Sequence, residues 1–134
     1  QFRKLKQIIQ PHEIVIKADY IQNVVHERGS EVSSAHFGKR QSQLLTFCVW
    51  YTNQDEDIVP LFFDFVSDYL RHNTLFFHKS FHFLVTHLKS ILPFPFSKIF
   101  LDTDGARSHF KSRISFYHAR SFWTSQGNFF VLVF

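Results

Sequence analysis

Two aspartates in this chain have the spacing and surroundings to do chemistry. Asp19 closes the strand-like run "EIVIKADY", and Asp104 stands just past a second such run in "FLDTDGARSHFKSR". In an α/β sheet, chemistry gathers outside strand ends, where neighbouring strands diverge in their connections. Two carboxylates from distant parts of a chain that meet at one sheet edge repel each other unless a cation neutralises them. Mg²⁺ or Mn²⁺ is the natural cation, because hard divalent ions take carboxylate oxygens and keep positions open for phosphate and water. Two such ions about 3.5–4 Å apart activate the attacking oxygen and stabilise the leaving one in phosphoryl transfer. Asp19 and Asp104 are therefore the candidate catalytic and metal-ligating pair. Asp102, of the same strand parity as Asp104, is a further candidate ligand. The competing reading is plain: an Asp before a Gly is commonly a turn residue, and an Asp at a strand end commonly caps it.

Base follows acid in the second stretch. Arg107, Lys111 and Arg113 come directly after Asp104, and Lys39 and Arg40 precede another apolar run. A helix entering beside the acidic edge offers backbone N–H groups and cationic side chains to phosphate. These five residues are the candidate nucleic-acid contacts, of a kind that binds without reading sequence and weakens steeply with salt. A solvated basic helix face is the rival explanation. His36, in "SSAHFG", is a candidate to orient a carboxylate or touch substrate, and His109 is a second auxiliary position. His78 and His82 lie one helical turn apart, a chelating spacing. "HKSFH" has no glutamate of the metalloprotease type, however, so these two and His87 are read first as packed or solvated side chains.

The elements that must position these residues follow from apolar patterning. A short helix is expected over residues 2–9, ended by Pro11. Strands are expected over 13–20, 42–52, 58–67, 97–103 and 128–134, from β-rich composition bounded by turn residues. Parity puts Ile14, Ile16 and Ala18 on one face of the first strand, and Val15, Lys17 and Asp19 on the other. The second strand is nearly continuous in apolar residues, Trp50 among them, and so reads as central. Residues 21–39 read as a loop, or as a weak strand around 31–36.

Asn73 can cap a helix running to about residue 91, with Leu75, Phe76, Lys79, Phe83, Leu84, His87, Leu88 and Ile91 along one stripe. Its phenylalanines, Phe76, Phe77, Phe81 and Phe83, read as core, though they circle the axis more fully than one buried face needs. A second helix is expected over 106–121. The resulting order, β-β-β-α-β-α-β, combines a three-stranded antiparallel meander with a parallel crossover. An α/β fold with a mixed five-stranded sheet flanked by helices is the layout of a ribonuclease H-like domain.

Composition bounds the rest. The 134 residues suit a single domain over 1–134, with 19 phenylalanines as the outlier. The lone Cys48 excludes an internal disulfide and reads as a small buried hydrophobe. A net charge of +4 suits a polyanion partner. No uncharged run approaches the roughly 18 residues that a membrane span requires. The chain has no methionine. It is accordingly expected to be a fragment, with missing flanking segments of the same protein among its partners.

Four stretches also resemble a known family. "KADYIQN", "EVSSAHFGKRQSQLLTFCVWYTN", "FVSDYLRHN" and "DTDGARSHFKSR" occur in that order. Together they look like transposon-derived proteins of animals, which are similar to DDE transposases and integrases with a ribonuclease H-like catalytic core. The resemblance implies that Asp19 and Asp104 match the family's first two acidic positions. The sequence also departs from the family pattern. Ile21, Gln22 and Asn23 replace a stretch that carries an acid, and His109 stands where the family has Gln. The acidic residue expected after the last strand has no counterpart, since "FWTSQ" leads into "GNFFVLVF". Trp123, in that approach, is read as packing or stacking on a base.

The expectation is thus a transposase-like core that binds DNA and cuts or joins phosphodiester bonds with two Mg²⁺ or Mn²⁺ ions, incomplete and inactive alone. Nuclear residence follows from a DNA substrate, and a homo-oligomer is compatible with it. The alternative is a non-catalytic, domesticated or decayed module of the same fold that binds nucleic acid or protein. A third reading is a ribonuclease H-fold nuclease unrelated to transposition.

Overall fold

A computed structural model of the chain describes residues 9–26, 41–71, 73–103, 117 and 129–133, with residues 22 and 129–133 described by their backbone. The elements are β1 (Glu13–Val25), β2 (Gln41–Thr52), β3 (Ile58–Ser67), α1 (Thr74–Ile91), β4 (Lys98–Thr103) and β5 (Phe129–Val133). They build one five-stranded mixed sheet in the order β3-β2-β1-β4-β5. β1 pairs antiparallel with β2, and β2 with β3, so the three form the expected meander. β4 runs parallel to β1, and β5 parallel to β4. The expected helices over 2–9 and 106–121 lie outside the described residues, apart from Ile9, which is not helical, and Tyr117, which is.

Alternation along the strands sorts the side chains between two faces. Ile14, Ile16 and Ala18 of β1 join Leu45, Phe47 and Val49 of β2 and Ile99 and Leu101 of β4 in one buried cluster. α1 covers this face with Phe77, Phe81, Leu84, Val85 and Leu88. Phe47 sits at the centre, edge-on to Phe65 and in tilted contact with Phe77 and Phe81, all with ring centroids within 6 Å. Burying each such ring removes enough apolar surface from water to stabilise the fold by roughly 1.5–3 kcal/mol.

The buried stripe of α1 differs from the expected one. Leu75, Phe83 and Ile91 are exposed, Phe83 at 72%, whereas Phe77 and Phe81 face the sheet. A helix with phenylalanine nearly all round has no single stripe that patterning can select, and docking on Phe47 made the choice. Cys48 and Trp50 also differ from the expected core positions: both are half-buried, on the sheet face opposite α1.

Local chemistry fixes the connections. In the β2–β3 turn the Asn53 side chain accepts from the backbone N–H of Asp55 and of Asp57, at 3.0 and 2.8 Å. Glu56 there takes a left-handed φ of 66°, a conformation that costs a non-glycine residue about 1–2 kcal/mol. Asn73 caps α1, its side-chain oxygen accepting from Phe76 N–H at 3.0 Å. At the start of the parallel pair, Lys98 Nζ donates to Glu13 Oε1 at 2.9 Å, and the two residues are direct partners in the β1–β4 register.

Candidate functional site

β1 runs farther than its pattern suggested. It reaches Val25, so Asp19 lies within the strand rather than at its end. The polar stretch from Ile21 reads as a loop, but pairing with β2 carries the strand into it through an irregularity between Ile21 and Val24. Such bulges bend a strand and re-aim its side chains, and they are common beside functional sites. Among the described residues, pairing with β4 runs to Ala18 opposite Thr103, and β1 pairs with β2 as far as Val25. The adjacency of the first and fourth strands that a shared acidic edge requires is therefore present.

Asp19 points away from α1 and is exposed. On the same face and row lie Thr46 of β2 and Asp64 of β3. Thr46 Oγ1 donates to Asp64 at 2.6 Å, so one carboxylate in this row is already occupied. Asp19 makes no hydrogen bond or ion pair with another described residue. One row back, Lys17 pairs in register with Asp102 of β4 and with Cys48 of β2. Asp102 is partly covered, and this desolvation raises its pKa above the ordinary carboxylate value, while the Lys17 ammonium pulls it back down. Two carboxylates, Asp19 and Asp102, thus share one face around a lysine.

The other expected site residues, Asp104, Arg107, His109, Lys111, Arg113, His36, Lys39 and Arg40, lie outside the described residues, as does Trp123. Among the described residues, no three His, Cys, Asp or Glu side chains gather closely enough to hold a metal ion. The donor set fits a hard divalent cation in part: Asp19 offers an uncommitted carboxylate and Asp102 a second on the same face. The α1 histidines are placed separately. His87 meets Phe63 edge-on and His78 packs beside Phe77, with centroids at 5.8 and 5.3 Å. Among the described residues, no helix is long and apolar enough to cross a membrane.

Two polar arrangements escaped the sequence reading. The Gln43 side chain is fully buried, and with its amide turned so that the nitrogen faces the two neighbouring carbonyls it donates to Tyr69 O and Arg71 O, both at 2.8 Å. It pins the link between β3 and α1; its signal in the sequence is a glutamine with the same parity as Leu45, Phe47 and Val49. Ser42 Oγ donates to Asp68 at 3.3 Å and lies 2.8 Å from His26 Nε2. The residue types are those of a nucleophilic triad, but the wiring is not. A serine has one proton, and giving it to Asp68 leaves Oγ to accept from His26. The histidine is then a donor rather than a base, and the trio clasps the ends of β1, β2 and β3. Tyr20, next to Asp19 but facing α1, donates its hydroxyl to the Asn73 carbonyl at 2.9 Å. Burial pushes its phenol pKa well up, so it remains a neutral donor.

Comparison with protein families places the chain. The family model Domain of unknown function (DUF8701) matches residues 1–128. The chain belongs to this family. No curated protein matches it. The DUF8701 match spans every described element except the last strand, β5.

Proposed function

We propose that this DUF8701 chain is a ribonuclease H-like core of the transposase kind, or the remnant of one, that binds DNA and handles phosphodiester bonds with divalent cations. The observation that carries the reading is the parallel β1–β4 pair. Thr103 is the β4 partner of Ala18, and the next residue of each strand in the sequence is Asp104 and Asp19. Each acid thus directly follows, in the sequence, one member of a paired rung of neighbouring parallel strands. Strand order supports the same reading. An antiparallel meander whose first strand lies centrally, beside two parallel strands, is the arrangement expected of a ribonuclease H-like sheet.

In this reading Asp19 and Asp104 hold the cation, with Asp102 as the reserve ligand. A bound divalent ion supplies Lewis acidity and a more acidic bound water. The chain's own groups do the remaining work. The buried face under α1 holds β1 rigid behind Asp19, and Lys17 balances the charge of Asp102. Arg107, Lys111 and Arg113, with Lys39 and Arg40, draw the phosphate backbone toward the acidic edge.

A second reading, a non-catalytic module of the same fold, is favoured by one observation. Lys17 stands in register beside Asp102, on the face that carries Asp19. A resident ammonium offsets the very charge that would attract a metal ion. Mn²⁺ titration by calorimetry, on the chain and on Asp104→Asn, separates the two. Binding that the substitution weakens tenfold or more supports a metal-dependent core. Equal and negligible heats in both proteins leave the scaffold reading, and nicking of supercoiled plasmid only with Mn²⁺ restores the enzyme.

A further inference from the structure

The outer side of α1 carries features that neither its fold nor the acidic edge uses. The helix has no Asp or Glu in any of its 18 residues, but it has two lysines and three histidines. Leu75, Lys79, Phe83, His87 and Ile91, each four residues apart, form an exposed row along its length. Phe83, in the middle of that row, leaves 72% of its surface in water. An aromatic ring so placed gains nothing from the core.

At the N-terminal end of the same helix, a pocket of about 310 Å³ opens between Tyr69, Asn73, Leu75, Phe76 and Lys79. Its walls are mainly apolar and aromatic, and Lys79 is the charged residue among them. Tyr69 and Asn73 are held there by their mutual hydrogen bond at 3.0 Å, which fixes the ring as a wall.

We propose that this face binds single-stranded nucleic acid, with Phe83 as a stacking platform, the pocket receiving a base, and Lys79 contacting the backbone phosphate between them. Charge complementarity argues for a polyanion: the helix is free of acid, and the chain as a whole carries +4. The exposed ring and the aromatic pocket argue for unstacked bases, because duplex DNA hides the π-faces that such groups recognise. Base-on-aromatic stacking combined with a basic track is the usual way to hold a single strand without reading its sequence. α1 covers the sheet face opposite Asp19. The surface is therefore separate from the acidic edge and independent of any metal held there.

Fluorescence anisotropy with a short labelled oligothymidylate tests the proposal, run in EDTA so that metal binding plays no part. Phe83→Ala and Lys79→Glu are both surface changes, and thermal melts by circular dichroism check that the fold is kept. Each is expected to weaken binding roughly tenfold, with the same duplex sequence binding less tightly than the single strand. Unchanged affinity in both variants overturns the proposal. So does equal affinity for duplex and single strand, or polyglutamate displacing the oligonucleotide at equal charge, which would mark the face as a dock for acidic peptides.

Discussion

Asp102 shows how one side chain reports its setting. An unfolded aspartate titrates near 3.8, and partial burial holds the folded group above that value. Between the two values the folded state keeps a proton that the unfolded state has lost. Stability therefore falls as pH rises through that window, and the cost persists at neutral pH. Asp102→Asn is accordingly expected to raise the melting temperature at pH 7 and to leave it unchanged at pH 3, where both states carry the neutral acid. Melts at the two pH values check this. A lower melting temperature for the variant at pH 7 would mean that attraction from Lys17 outweighs desolvation. Asp19, by contrast, is exposed and has no hydrogen bond or ion pair with another described residue.

At the scale of elements, α1 separates phenylalanines that look alike in sequence. Phe81 is almost fully buried against Phe47 and Phe77, and Phe83, two residues on, stands in solvent. Phe81→Ala is expected to cost about 3–5 kcal/mol in urea unfolding, through lost transfer energy and the cavity left behind. Phe83→Ala is expected to stay within about 0.5 kcal/mol of the parent. The strands were easier to read. β3 occupies the residues that its composition indicated, and Asn73 caps the helix as its type suggests. β1 extends past its apolar pattern because local polarity at Gln22 and Asn23 looks like loop, while the pairing that extends it comes from β2, which lies distant in sequence. Gln43 and the His26–Ser42–Asp68 clasp were missed for a related reason. Their partners lie on other strands or in the β3–α1 link, and no spacing in the sequence announces them.

Across the whole molecule, the seam between β1 and β4 joins the meander to the parallel strands. Its first rung is Lys98 to Glu13, two residues 85 apart in the chain. Glu13 is buried and also accepts from the Gln10 backbone N–H at 3.3 Å. Lys98→Ala would leave that carboxylate without its cation and is expected to cost about 1–3 kcal/mol. Lys98→Arg is expected to recover most of the loss, as denaturant unfolding of both variants would show. The same seam includes the rung Ala18–Thr103, which Asp19 and Asp104 follow in the sequence. Loosening it is therefore expected to weaken Mn²⁺ binding along with stability, if the acidic edge holds metal.

The amino-acid sequence alone determined the parity of the first strand, the cap of α1 and the chemical types available, because alternation, capping and charge act over a few neighbouring residues. It also placed Asp19 on the face away from Ile14, Ile16 and Ala18, since side chains alternate along any strand. Only the tertiary structure decided that β4 pairs with β1 and which side of α1 is buried. It also decided that Lys17 stands beside Asp102. Those choices depend on pairing and packing between segments far apart in the chain, where many arrangements satisfy the same local pattern and the packed core selects one of them.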